Sequence, residues 1–125
     1  METGELLEKI RGSNVWSARC PSRRLLDLIA DKWTTLVIVA LADRPKHYSQ
    51  LKRDVSGISH KMLSQTLQRL EKQGFVTRTV YPTSPPRVEY ALTALAQTLL
   101  PTLCALIDWA QTHSAEFPML EEEIE

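Results

Sequence analysis

The spacing of apolar residues changes at Gly74, and this change restricts the fold more than any other feature of the sequence. Before it, residues 48–55 and 59–73 place apolar side chains at helical intervals, and a turn containing Gly57 separates the two segments. After it, "VTRTVYP" and "RVEYALT" alternate, are rich in Val, Thr and Tyr, and are separated by "TSPP". Two short helices followed by a β-hairpin predict a winged helix-turn-helix, a mainly α fold with a small β-hairpin wing.

Capping residues set the predicted boundaries of these two helices. We expect Ser49 to be the N-cap of the first helix and Ser59 that of the second, because a serine hydroxyl can accept from a free N–H of the first turn. Ile58 and Leu63 have the spacing of a hydrophobic staple around that second cap. Gly74 is expected to end the second helix.

The flanking segments predict further helices. "CPSRRLLDLIADKW" predicts a helix with Pro21 in its first turn, and "WTTLVIVALAD", apolar on nearly every side, predicts a buried central helix. A short helix is expected near the N-terminus. Thr93 is the expected N-cap of a long C-terminal helix, kinked by Pro101. Its predicted apolar stripe consists of Leu95, Leu99, Leu103, Leu106 and Ile107.

Charge is unevenly distributed along the chain. The 125 residues carry no formal net charge, with 15 basic and 15 acidic side chains. Residues 19–92, however, contain 13 lysines and arginines against 6 acidic residues, while both ends are acidic. We therefore predict a single domain, residues 1–125, that consists of a basic winged-helix module (19–92), a C-terminal dimerisation helix (93–116) and an acidic tail (117–125). The basic centre suggests a polyanionic partner.

The second helix of the pair has the composition of a recognition helix. Leu63, Leu67 and Leu70 fall on one stripe that faces the core, and the opposite side has no carboxylate. Its amide and hydroxyl groups suit base edges, and its cations suit phosphates, so double-stranded DNA is the expected partner. The predicted DNA contacts of this helix are Ser59, His60, Lys61, Ser64, Gln65, Gln68, Arg69 and Lys72, and those of the wing and its support are Ser49, Arg78, Tyr81 and Arg87.

These segments together resemble the HxlR-type winged-helix transcriptional regulators. The resemblance extends over roughly residues 19–112. It depends on the ordered blocks "CPSRRLLDLIADKWTTLVIVAL" and "YSQLKRDVSGISHKMLSQTLQRLEKQGFVTRTVYPTSPPRVEYALT" and on the helix that follows them. It implies a MarR-like winged helix, homodimerisation through the N- and C-terminal helices, and sequence-specific binding to inverted-repeat operators. The chain departs from the family at Ala30 and Asp31, where many members have two glycines.

Two cysteines are too few for a disulfide scaffold or a four-cysteine metal site, and they need separate interpretations. Cys20 lies at a helix start near several arginines, and both features favour the thiolate. The family resemblance implies that a cysteine here can sense oxidants or electrophiles, although Cys20 could equally be a small capping residue. Cys104, on the C-terminal helix, is expected to be a small buried hydrophobe.

Other functions are less consistent with the sequence. The longest apolar run, "LVIVALA", is far shorter than the roughly 20 residues of a membrane span, and the N-terminus does not read as a secretory signal, so a cytoplasmic protein without membrane contact is expected. No catalytic motif, metal-ligand spacing or cofactor motif is present, which argues against an enzyme. The alternatives are a winged helix that binds another protein without specific DNA binding, and a thiol peroxidase that uses Cys20. The sequence does not identify a small-molecule effector.

Overall fold

The computed structural model describes the backbone of residues 1–123 and the side chains up to Leu120. Within this part, the chain forms six α-helices, one small sheet and two short 3-10 helices at the C-terminal end. The helices are α1 (Thr3–Arg11), α2 (Pro21–Ile29), α3 (Lys32–Ala40), α4 (Tyr48–Asp54), α5 (His60–Lys72) and α6 (Ala94–His113), the strands are β1 (Lys46–His47), β2 (Val76–Tyr81) and β3 (Arg87–Leu92), and the 3-10 helices are Ser114–Glu116 and Pro118–Glu123.

Helix α3 is the central helix of the domain, as its apolar sequence predicts. Val37 and Ile38 are completely buried, and they pack in one core with side chains of α4, α5, the sheet and α6. The prediction that the preceding helix continues to Trp33 is wrong, because α2 ends at Ile29. Asp31 begins a new helix instead, since its carboxylate accepts from the backbone N–H of Thr34 at 3.1 Å.

Helices α4 and α5 form the predicted helix-turn-helix, with one boundary different from the prediction. Ser59 is the N-cap of α5 and accepts from the N–H of Met62 at 3.0 Å, as expected. Helix α4, however, begins at Tyr48, so its N-cap is His47 and Ser49 lies exposed in its first turn. The two glycines of this region, Gly57 and Gly74, have φ angles of 88° and 81°, a conformation that side chains with a Cβ rarely adopt.

The predicted β-hairpin is present, and a third strand extends it. Strands β2 and β3 pair antiparallel with Tyr81 opposite Arg87 and Val76 opposite Leu92. The two-residue strand β1 pairs with the other edge of β3 and gives the order β1-β3-β2. Because β1 immediately precedes α4, this pairing attaches the wing to the start of the helix-turn-helix.

Helix α6 begins as predicted but packs differently from its predicted stripe. The Thr93 hydroxyl donates to the carbonyl of Gly74 at 2.7 Å and accepts from the N–H of Ala96, so it joins the end of α5 to the start of α6. Leu103 is buried in the core, whereas Leu95 and Leu106 are more than half exposed. Cys104 is exposed too, so the expectation that it is buried is wrong within this single chain.

The C-terminal end lies partly outside the described residues. The predicted acidic tail comprises residues 117–125, of which Ile124 and Glu125 are not described, nor are the side chains from residue 121 onwards. None of the helices in the described part combines the length and the hydrophobicity that crossing a membrane requires.

Candidate nucleic-acid interface

Helix α5 presents a polar face to solvent because its opposite face is anchored in the core. Leu63, Leu67 and Leu70 are each at most 1% exposed, as their spacing predicts. The side chains that point away from them are exposed over the whole length of the helix. These outward residues are Lys61, Gln65, Gln68, Arg69 and Lys72.

The outward residues of α5 form a shallow depression without negative charge. Gln65, Gln68, Arg69 and Lys72 line a surface concavity of about 330 Å³. Glutamine can both donate and accept hydrogen bonds, and the adjacent cations attract phosphate. This combination suits a polyanion with hydrogen-bonding edges.

A tyrosine on α4 fixes the N-terminal edge of α5. The Tyr48 hydroxyl lies 3.1 Å from both the Nδ1 atom and the carbonyl oxygen of His60, and 3.3 Å from the Ser64 hydroxyl. The rings of Tyr48 and His60 are nearly parallel, with centroids 5.9 Å apart. His60 and Ser64 are therefore held in defined positions, because α4 and α5 share these contacts.

One acidic residue of α5, Glu71, lies beside the outward face of the helix. Its side chain is exposed. It lines a depression of about 380 Å³ between α5 and the sheet, and Arg78 of β2 lines the same depression. The carboxylate thus lies on the wing side of α5 and outside the concavity formed by its outward residues.

The three wing residues lie on two faces of the hairpin. Arg78 is paired with Tyr90, whose side chain is buried, so Arg78 lies on the face towards α5. Tyr81 is paired with Arg87, and the alternation of side chains along a strand places both on the opposite face. The Tyr81 hydroxyl donates to Glu89 Oε1 at 3.3 Å on that face.

The outer face of the hairpin contains a histidine that the sequence-based prediction omitted. His47 of β1 lies opposite Glu89 of β3, and its Nε2 atom is 2.8 Å from Arg87 Nη2. A strand of two residues is too short for an alternating pattern, so the sequence contained no signal for β1. The contact between His47 and Arg87 spans 40 positions and depends on this strand.

Not every cation of the basic module is available to an external anion. The Lys46 side chain is only 11% exposed, and its ammonium group lies 2.8 Å from Asp54 Oδ2 at the end of α4. The hydrogen bond from Lys46, together with its charge, lowers the pKa of the Asp54 carboxyl below its ordinary value. Lys46 therefore fastens β1 to α4.

Cys20 lies at the start of α2 in a polar environment, although its surface is only 4% exposed. Its Sγ atom is 2.8 Å from the Ser22 hydroxyl and 3.1 Å from Asn14 Oδ1. The pKa of this thiol is lowered, chiefly by the Ser22 hydrogen bond and additionally by the nearby Arg23 guanidinium.

Among the described residues, no three His, Cys, Asp or Glu side chains are grouped closely enough to hold a metal ion.

The comparisons with known proteins agree with this geometry. The model of the family described as HxlR-like helix-turn-helix matches residues 28–117. The chain therefore belongs to the HxlR-like helix-turn-helix family, as its motifs predict, and it is a helix-turn-helix transcriptional regulator. The family consists of regulators and not of enzymes.

Individual relatives are similar over most of the chain. It is 37% identical over 123 residues to the uncharacterized HTH-type transcriptional regulator YtfH of Escherichia coli strain K12, and the match covers 98% of each chain. The solved structure of the transcriptional regulator ytfH from Salmonella typhimurium has a TM-score of 0.78 and 39% identity, and the match covers 87% of this chain and 97% of that one. The oxidised form of the redox regulator HypR has a TM-score of 0.69 and 34% identity, over 74% and 96% of the respective chains.

Proposed function

We propose that this regulator is a homodimer that binds double-stranded DNA sequence-specifically at an inverted-repeat operator. The observation that supports this most directly is the outward face of α5, on which glutamines and cations are exposed together without a carboxylate. An ordinary solvent-facing helix usually mixes acidic and basic residues, because such pairs stabilise it. The composition of this face is better suited to the major groove.

The proposed contacts divide by chemistry. Gln65 and Gln68 read base edges, because an amide can pair with two groups of one base. Lys61, Arg69 and Lys72 contact phosphates beside those bases. At the start of α5, Ser59, His60 and Ser64 contact the sugar-phosphate backbone of the DNA. Ser49 and the wing residues Arg78, Tyr81 and Arg87 extend the contact along the duplex.

Exposed apolar side chains on the terminal helices support the proposal of a dimer. Leu6, Leu7 and Ile10 of α1 are each more than 40% exposed, and Leu106 and Trp109 of α6 are each more than 55% exposed. Apolar side chains grouped in this way are typical of an interface. An apolar groove of about 840 Å³ is lined by Ile10 of α1 and by Leu25, Leu26 and Ile29 of α2.

The proposed function is tested by selecting duplexes of about 30 base pairs, three helical turns, from a random pool with the full-length protein. We expect an enriched inverted repeat, and an affinity that decreases steeply with salt because bound phosphates release counterions. A protein that enriches no sequence and whose weak binding is insensitive to salt would instead be the protein-binding winged helix.

We further propose that oxidation of Cys20 modulates operator affinity. The lowered pKa of the thiol supports this, since the thiolate is the form that oxidants attack. The likeness to a redox regulator gives additional support. Cys20 contacts Asn14 in the segment after α1, and its neighbour Ser22 lines the apolar groove, so added bulk there would change how two chains pair.

A further inference from the structure

His47 combines three structural roles at the junction of the wing and the helix-turn-helix. It is the last residue of β1, it is the N-cap of α4, and its backbone N–H donates to Gln50 Oε1 at 2.9 Å. Its side chain is half-buried and lies on the outer face of the sheet. The position of the ring is thus fixed by two elements at once.

The two ring nitrogens of His47 have partners of opposite kind. Nδ1 lies 3.2 Å from the carbonyl oxygen of Val88, which can only accept, so Nδ1 bears the proton. Nε2 lies 2.8 Å from Arg87 Nη2, and a guanidinium can only donate, so Nε2 is the acceptor. These contacts fit the tautomer with its proton on Nδ1, oriented by a main-chain carbonyl.

We propose that His47 is a positioning residue that holds the Arg87 guanidinium ready for a DNA phosphate. This inference rests on the proposed function, to which it adds the reason why one wing arginine has a defined orientation. An exposed arginine loses side-chain entropy when it binds a phosphate, and a neighbour that fixes it beforehand reduces that loss. The guanidinium retains further N–H donors for the phosphate.

A neutral acceptor is the appropriate partner for this purpose. A carboxylate would orient Arg87 equally well, but it would cancel the positive charge that attracts the phosphate. Among residues 1–120, no carboxylate lies within 4 Å of the Arg87 guanidinium. The nearest candidate along the strand, Glu89, accepts the Tyr81 hydroxyl instead.

Two isosteric substitutions separate this role from a purely structural one. In His47→Gln, the amide oxygen lies near the position of Nε2 and can still accept from Arg87. In His47→Asn, the amide replaces Nδ1, so the acceptor for Arg87 is lost, although asparagine is itself a good N-cap for α4. Both variants are measured alone and combined with Arg87→Ala, with Thr79→Val as the control on the same hairpin face.

The measurement is the affinity of each full-length variant for a 30-base-pair duplex selected by the wild-type protein, as a function of salt. We expect Arg87→Ala to weaken binding to all sequences and to reduce the salt slope by about one. His47→Asn is expected to weaken binding about 3- to 10-fold with an unchanged salt slope. Arg87 still contacts the phosphate in this variant, but its guanidinium is no longer held in position before binding. His47→Gln and Thr79→Val should bind like the wild type, and in the Arg87→Ala background neither His47 substitution should have a further effect.

The possible failures are distinguishable. Equal losses in His47→Asn and His47→Gln, or losses that persist in the Arg87→Ala background, would show that His47 supports the fold and not the arginine. Unchanged binding by Arg87→Ala would refute the positioning role while leaving a sequence-specific α5 in place. Absence of DNA binding by the wild type would refute the proposed function itself. Imidazole nitrogen shifts provide an independent measurement, since they should report a proton on Nδ1 of His47 and should change in Arg87→Ala.

Discussion

Gln65 is exposed near the middle of the outward face of α5, and its amide is surrounded by the cations of that face. We expect Gln65→Ala to relax the base preference at one operator position and to cost about 1–3 kcal/mol on the best site. The loss on random DNA should be smaller, because no specific base contact is made there. Competition binding against single-base operator variants measures the effect.

Lys72→Ala is the matched control for Gln65→Ala, since Lys72 lines the same concavity but carries a charge. It should weaken binding to all sequences similarly and reduce the salt slope by about one. If both variants lose affinity uniformly across sequences, Gln65 does not read a base.

Cys20 allows a second prediction at the scale of single residues. Mild diamide or peroxide treatment should change the operator affinity of the wild type and leave that of Cys20→Ser unchanged. Because the Ser22 hydroxyl is the main cause of the lowered thiol pKa, Ser22→Ala should raise the pH midpoint of Cys20 alkylation. Cys104→Ser provides the control, since Cys104 is exposed and outside this environment. Mass spectrometry that finds oxidised Cys20 in a protein of unchanged affinity would reduce it to a capping residue.

The sequence predicted individual residues well where a periodic pattern applied. The burial of Leu63, Leu67 and Leu70, which the helical interval predicted, is confirmed. The cap at Ser59, which its hydroxyl group predicted, is confirmed too. The contact between His47 and Arg87 was not predictable, since it depends on which strands pair. The DNA contacts themselves remain predictions.

At the scale of elements, the sequence predicted which helices and strands form better than it predicted where neighbouring elements are divided. The hairpin, α3 and α5 are confirmed, since each has a distinct pattern of apolar residues. The break between α2 and α3 was missed, although the contact that spans it is local: the Thr35 hydroxyl donates back to the Ile29 carbonyl at 3.0 Å. Asp31 caps the new helix.

The attachment of β1 to α4 through Lys46 and Asp54 gives a prediction on pH. The folded pKa of Asp54 is lowered, so its ion pair stabilises the protein at neutral pH, and this contribution is lost as the pH falls below about 4 towards the lowered value. Asp54→Asn should therefore reduce the free energy of unfolding at pH 7, and the difference from the wild type should shrink at low pH.

Urea unfolding of both proteins between about pH 3 and 7 measures this difference. Asp43→Asn is the control, because its carboxylate lies 3.9 Å from Lys46 and is 73% exposed, so its effect should be smaller. A difference between wild type and Asp54→Asn that is constant over this range would contradict the assignment.

At the scale of the whole molecule, the proposed dimer rests on the apolar side chains that one chain leaves exposed. The exposed leucines of α1 and the exposed Leu106 and Trp109 of α6 lie on the terminal helices and not on the recognition surface. We therefore expect two chains to pair about a two-fold axis and to place their α5 helices about 34 Å apart, one turn of DNA.

Leu106→Glu should shift sedimentation towards the monomer and weaken binding to the selected inverted repeat more than binding to a single half-site. Inserting about 5 base pairs, half a turn, between the half-sites should also reduce wild-type affinity, because the second helix would then meet the wrong side of the duplex. A wild-type chain that sediments as a monomer at micromolar concentration and still binds the intact repeat tightly would refute the dimer. Equal affinity for the repeat and for the half-site would do the same, since only a paired molecule gains from the second site.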